Sequence, residues 1–430
     1  MKFIFAENMD LVDPDFDFIK DRSSSAREPY WDDVYPHQLL VHTPYDGLLV
    51  SRAIVGGHVR SGKYNESQAM RFRREGARKF LRFEEKDYPN TVMWGDCGAF
   101  AYVDDDVPPY SVDDIIDFYA DGQFTHGCSV DHIIFEYHDN ELDLPFDDKE
   151  VRRRQEITLS NAAEFITKSR NRIGNHFTPV GVVHGWSPKT MAEAAMQLVS
   201  MGYTYLALGG MVPLKSDQIK GALRAVRAVI PGDVSIHILG FAKAEQVQDF
   251  TTENLTSVDT TSPLLRAFKD SRANYYEWDG NGFNYFTAIR VPQVLSNNPL
   301  KKMVQSGKLE LEDAIELEKN ALKTLRAYDA GSASLEATVN SVRDYWTLIY
   351  TDLAKTNSKK ANKEVGVITE RIIPMLSKQP WKKCDCKICQ AIGIEVAIFR
   401  GNNRNRRRGF HNLYVYGNRL RELKCELCQN

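Results

Sequence analysis

No stretch of this 430-residue chain approaches the ~18 consecutive apolar residues that a membrane-spanning helix needs. The opening Met1-Lys2-Phe3-Ile4-Phe5-Ala6 runs into Glu7, Asp10, Asp13 and Asp15 too soon to form a signal peptide. Cysteine is sparse until late: five of the seven thiols stand at Cys384 or beyond, which disfavours a disulfide framework and points to metal binding in a reducing compartment. Net charge is small (−3), so the molecule as a whole is no polycation that would coat nucleic acid indiscriminately. No low-complexity tract occurs, and no repeat beyond an alternation of strand-like and helical segments. The segment Leu208-Gly209-Gly210-Met211-Val212-Pro213 lacks the G-x-G-x-x-G spacing of a dinucleotide-binding turn. With 43% hydrophobic and 26% charged residues, the expectation is a soluble, cytoplasmic, globular protein with no membrane partner.

The late cysteines carry the clearest chemistry. Cys384-Asp385-Cys386-Lys387-Ile388-Cys389 is a C-x-C-x-x-C run, and His411 follows a basic loop expected over 400–410. Three thiolates and one imidazole fill a tetrahedron with no open position, which is the donor set of a structural zinc ion. A later C-x-x-C, Cys425 and Cys428, is an alternative source of ligands in place of His411, or a frayed or redox-labile pair. Arg404, Arg406, Arg407 and Arg408 lie inside the expected loop and are expected to contact nucleic-acid phosphates. Other basic runs, Arg71, Arg73, Arg74, Arg78 and Lys79, and Arg152 to Arg154, read equally well as solvated faces.

In chain order, residues 1–45 read as an acidic, irregular N-terminal arm. Strand-like apolar segments are expected at Asp46 to Ser51, Thr91 to Trp94, His132 to Phe135, Val180 to Val183, Tyr205 to Leu208, Val234 to Leu239 and Leu255 to Val258. Helical patterns fall between them, at 65–79, 111–120, 149–173, 187–201, 216–229 and 244–250. Several open on Ser or Asp caps, as at Ser187-Pro188. Strands too apolar for a one-sided sheet imply a parallel, covered sheet. Asp96, Glu136, His138, His184, Gly209-Gly210 and Asp259 all sit just after such segments, which favours a (β/α)8 barrel whose strand ends converge on one face. The expected organisation is an arm (1–45), a barrel with helical extensions (46–375) and a zinc-binding subdomain (376–430). The helices after residue 310 are expected to complete the barrel's outer ring, with a last helix over 413–423.

Two strand-end carboxylates stand out. Asp96 opens Asp96-Cys97-Gly98-Ala99-Phe100, and Asp259 opens Asp259-Thr260-Thr261-Ser262-Pro263. Each could be a helix cap, but two carboxylates on one barrel face are also what displacement at an anomeric carbon requires. His126, Cys128, His132 and His138 lack the paired spacing of a second metal site.

Taken together these segments resemble the tRNA-guanine transglycosylase superfamily. Asp96-Cys97-Gly98-Ala99-Phe100 is similar to that family's Asp-Ser-Gly-Gly-Phe segment, Gly209-Gly210 to its base-binding loop, and Asp259 falls where its nucleophilic aspartate sits. Cys384, Cys386, Cys389 and His411 match its zinc ligands. The chain departs from the tRNA enzymes at Cys97, where they have serine, and at His184-Gly185, where they have Gln-Gly. Their base-reading aspartate has no clear counterpart, Glu136 and Asp139 being the candidates, and nothing resembles the archaeal RNA-binding C-terminal domain. The acidic start and the Pro108-Pro109-Tyr110 stretch look more like the DNA-guanine transglycosylases of 7-deazaguanine DNA-modification clusters.

That resemblance implies base exchange in DNA: guanine leaves and 7-cyano-7-deazaguanine (preQ0) enters through an aspartyl-deoxyribose intermediate. Asp259 would be the nucleophile and Asp96 the acid/base. Cys97, Gly98, Glu136, His184, Gly209, Gly210 and Met211 would bind the base. Helper proteins of the same cluster and a homodimer would be possible partners. A tRNA-guanine transglycosylase, a non-catalytic nucleic-acid-binding subunit of such an enzyme, and an unrelated barrel hydrolase remain as alternatives.

Overall fold

The computed structural model describes residues 1–56, 62–139, 149–241 and 243–429. Its backbone divides into two compact units, one of Met1–Met9, Tyr45–Ser262 and the chain from Gly417, the other of Asp10–Pro44 and Pro263–Tyr416.

The first unit is a closed barrel of eight parallel strands in sequential order. They are β1 (Lys2–Ala6), β2 (Gly47–Ser51), β3 (Val92–Asp96), β4 (His126–Cys128), β5 (Thr178–Val183), β6 (Tyr205–Leu208), β7 (Ser235–Ile238) and β8 (Ser257–Asp259). Side chains alternate across each strand, so one set from every strand fills the interior. Ile4, Leu49, Trp94, Cys128, Val180, Val182, Tyr205 and Ala207 make that inner cluster. The expected (β/α)8 barrel is what the chain forms.

Helices cover the outside where capping residues start them. Ser111 accepts the Asp114 N–H at 3.1 Å to open Val112–Gly122, and Ser187 does the same for Pro188–Ser200 from Thr190 at 3.2 Å. Among the described residues no helix is long and apolar enough to cross a membrane.

Two expectations about strands are corrected. The arm expected over residues 1–45 does not begin at residue 1: Lys2–Ala6 is a barrel strand, with Phe3, Ile4 and Phe5 buried. Ile4 pairs with Asp259 and closes the cylinder. The acidic residues that follow masked it. The fourth strand is His126–Cys128 rather than His132–Phe135, which belongs to the loop after it. This strand is not apolar, because its middle residue must be glycine: a Cβ on Gly127 would stand 2.5 Å from the Tyr119 ring.

In the second unit, an antiparallel hairpin (Tyr275–Trp278 with Phe283–Phe286), a short parallel pair (Ile289–Arg290 with Ile398–Phe399) and the helices Leu311–Asp329, Leu335–Ile349 and Thr351–Lys378 accompany the cysteine-rich segment. These helices fall in one compact unit with Asp10–Pro44. The expected loop over 400–410 and helix over 413–423 are one helix, Gly401–Gln429.

Candidate active site and metal centre

The carboxyl ends of β3, β4, β5, β7 and β8 bring together three carboxylates and two histidines. Asp259, the last residue of β8, is buried. Its Oδ1 accepts the Gly240 N–H at 2.8 Å and faces His237 Nε2 at 3.1 Å. His237, fully buried on β7, has its Nδ1 2.7 Å from Ser257 Oγ, which lies 2.8 Å from Tyr205 Oη. With Tyr205 donating to Ser257 and Ser257 to Nδ1, the proton of the imidazole sits on Nε2 and is donated to Asp259. The His237 ring is stacked on Trp94 at 4.4 Å, so its plane is fixed as well.

Asp96 ends β3 and is partly exposed; its Oδ1 accepts the Gly98 N–H at 2.7 Å. Enclosure raises its pKa to about 7, and the negative charges of Asp131 and Asp259 push the same way. A carboxyl titrating there can both give and take a proton near neutrality.

Asp131, like His237, was not singled out in the sequence. It is buried just beyond β4, with Oδ1 accepting the Cys97 thiol at 2.8 Å and Oδ2 2.7 Å from His184 Nε2. Tyr102 donates to Cys97 Sγ at 3.0 Å and to the Asp131 carbonyl at 3.0 Å. Misplacing β4 hid Asp131 ahead of an assumed strand instead of after the real one. Glu136 and Asp139, the carboxylates expected to read the base, are both exposed, and Asp139 meets Gln218 Nε2 at 3.2 Å.

The other expected base-site residues divide. Cys97 is fully buried, and burial with the adjacent Asp131 and Asp96 charges pushes its thiol well above the usual range, so its side chain supports Asp131 as a neutral donor. His184 is buried, and its Nδ1 has no partner among the described residues. Gly209 and Gly210 follow β6, and their lack of side chains is required: a Cβ on Gly209 would fall 2.4 Å from His184 Cε1. One on Gly210, at φ +75°, would meet the Ile134 carbonyl at 2.3 Å. Met211 is buried behind them. Of the histidines set aside as metal ligands, His126 is held neutral, its pKa lowered to about 4 chiefly by burial.

In the second unit, ligand atoms of Cys384, Cys386, Cys389 and His411 all lie within 4.8 Å of one another. His411 Nδ1 is 3.4–3.5 Å from the three sulfurs, and Nε2 lies 2.8 Å from the Tyr276 carbonyl. That second bond puts the proton on Nε2 and leaves the Nδ1 lone pair toward the thiols, the orientation a metal-ligating histidine needs. Tyr275 stacks on the imidazole at 4.0 Å. The group fits a tetrahedral metal ion and takes His411, not Cys425, which is exposed. The Cys428 side chain lies outside the described residues.

The arginine clamp is a correction. Arg404 (1% exposed) bonds Glu395 at 2.6 Å, Asp21, and the Phe18 carbonyl at 2.8 Å. Arg408 (0% exposed) donates to the carbonyls of Ala267, Val396 and Ile398, and buried Arg407 to those of Asp13 and Pro14. Arg406 donates to Leu11 O at 2.7 Å. Arg404, Arg407 and Arg408 are thus buried, tying Asp10–Pro44 and the segment around Glu395 to the helix, and are not presented to phosphates; Arg406 keeps 35% of its side chain exposed.

A closed parallel barrel with carboxylates gathered at its strand ends, together with a separate Cys3His group, defines the class: the guanine transglycosylases. No family model matches the chain. Over 424 residues, 98% of this chain and 96% of the relative, it is 42% identical to a DNA-guanine transglycosylase of Salmonella montevideo. The chain belongs to the DNA-guanine transglycosylase family, and it is a pentosyltransferase.

Proposed function

We propose that the protein exchanges guanine in DNA for preQ0 through a covalent bond to Asp259, acting in the cytoplasm. The observation that carries this reading is the state of the two strand-end carboxylates. Asp259 has one oxygen held by Gly240 N–H and His237, while Asp96 titrates near neutrality. Asp259 Oδ2 attacks C1′ of the flipped deoxyguanosine, and the C1′–N9 electron pair leaves with guanine, which takes the Asp96 proton. Incoming preQ0 returns a proton to Asp96, its N9 attacks C1′, and the Asp259–C1′ bond breaks. Holding Oδ1 keeps the other oxygen aimed and moderates its charge without neutralising it.

The base lies, on this reading, between Asp96 and the Asp131–His184 pair. With Nε2 donating to Asp131, His184 Nδ1 is an acceptor suited to a purine N–H. Cys384, Cys386, Cys389 and His411 would hold a structural zinc ion, whose contribution is to fix the knuckle and not to join the reaction.

The test is nucleoside mass spectrometry of DNA and tRNA from cells making the protein or its Asp259→Ala variant, with its cluster partners. A deazaguanine deoxynucleoside that disappears in the variant is the expected result. The modified base in tRNA alone would replace this reading with tRNA exchange. Modified DNA persisting in the variant would remove Asp259 as nucleophile.

A further inference from the structure

With Arg404, Arg407 and Arg408 buried, a DNA backbone needs cations beyond that run. Among the described residues, Arg52 marks such a place beside the strand ends. Arg52 follows β2 directly, and its N–H donates to the Asp96 carbonyl at 2.7 Å, so it stands on the barrel face that carries Asp96. Its guanidinium lies over the rings of Tyr110 (5.0 Å) and Phe118 (5.8 Å). Nε and Nη1 are buried and meet no acceptor among the described residues. A guanidinium normally finds carboxylates or carbonyls when enclosed, and leaving its N–H groups unmet is unfavourable.

Arg52 lines a cavity of about 440 Å³ with Tyr64, Glu66, Ala69, Met70 and Arg73. Tyr64 is already committed, donating to Glu7 at 2.7 Å. Glu66 is exposed and free to turn to solvent. A second groove of about 680 Å³ shares Met70 and Arg73 and adds Arg71, Arg74 and Asp121. Arg71 is paired with Glu75 at 3.3 Å, but Arg73 reaches Asp121 only at 3.9 Å, both nearly half-exposed. Met70, 67% exposed, stands among these cations as an apolar contact.

We propose that Arg52 and Arg73 form a phosphodiester site for the DNA strand that delivers its nucleotide to the barrel mouth, with Arg74 extending it along the Glu66–Glu75 helix. The argument rests on the proposed DNA substrate. A flipped nucleotide drags its flanking phosphates across the rim, where each needs a cationic partner. A guanidinium whose Nε and Nη1 are unmet among the described residues, one strand from Asp96, meets that need, and the two aromatic rings hold it in place before the strand arrives.

The test is fluorescence anisotropy of the full chain with a labelled duplex and a labelled single strand across a salt series. The proteins compared are wild type, Arg52→Gln, Arg52→Lys, Arg73→Gln and the double glutamine variant. The glutamine variants should weaken binding roughly tenfold each. The slope of log affinity against log salt should fall by about one per arginine removed. Arg52→Lys should keep part of the affinity. Arg73 is exposed, so its variant tests the site without disturbing the fold. Wild-type DNA binding with unchanged affinity and slope in folded variants overturns the site but not the exchange reading. A wild-type protein that binds tRNA and no DNA overturns both. If millimolar inorganic phosphate stabilises wild type but not Arg52→Gln while DNA affinity is equal, the cavity takes a free anion and the strand assignment falls.

Discussion

Asp96 couples chemistry to stability through a single proton. Its folded pKa of about 7 lies above the free value of 3.8, so with rising pH the unfolded chain releases this proton first. The folded state is therefore penalised progressively from about pH 4 to about pH 7, and fully beyond that. Asp96→Asn should match wild type in stability at pH 4 and exceed it at pH 8, by at most about 4 kcal/mol, while losing base exchange. Urea unfolding at the two pH values measures this; an equal difference at both would show that the carboxyl is not strained by its surroundings. His237 is a positioning residue with a different signature. His237→Phe keeps a ring against Trp94 but removes the donor, and should lower kcat on the order of tenfold to a hundredfold with KM little changed. His237→Gln, which restores an N–H, should recover much of it. If both variants lose only thermal stability, the imidazole is packing alone. Asp96 and Asp259 were visible in the sequence because each ends an apolar run. Asp131 was not, because the strand before it, His-Gly-Cys, carries no hydrophobic signal and is shaped by Tyr119 pressing on Gly127. His237 was hidden differently: it is the one polar residue inside Ser235–Ile238 that faces the site, and periodicity alone assigns it no task.

At the level of elements, legibility followed how each element buries its surface. Ser111, Ser187 and Asn65 announce helices because a side-chain cap is a local event that sequence spacing records. The first two turns of Gly401–Gln429 record nothing of the kind, since the face they bury is made of arginine and asparagine that hydrogen-bond rather than of apolar side chains. A run that reads as a solvated loop is a buried helix. The cysteine knuckle is the opposite case: its spacing is restrictive enough that the three cysteines and His411, which the structure gathers, were named together from the sequence, with Cys425 and Cys428 as the alternative to His411. It should carry one zinc per chain by elemental analysis. Stripping the metal with a strong chelator, or Cys386→Ser, should lower the melting temperature by roughly 10 °C or more. Zinc-free protein with an unchanged melting curve would leave the cluster as thiols alone.

For the molecule as a whole, the barrel and its direction of use could be read from strand-end polarity, whereas the way the chain is divided could not. The arm Asp10–Pro44 is far in sequence from the helix that holds it, and apart from the Asp21 carboxylate its anchors to Arg404, Arg406 and Arg407 are largely backbone carbonyls, which carry no residue code. The cylinder's seam has a consequence for how an active molecule comes into being. It joins Ile4 to Asp259, two positions more than half the chain apart, and Thr260 N–H then bonds the Ile4 carbonyl. Contacts so distant in sequence form late. A ribosome must therefore release most of the chain before the first strand can find the last. On the proposed chemistry, the group that severs a base from its sugar is among the final parts to be set. An unfinished copy has no means of leaving abasic scars in the genome of the cell that is making it.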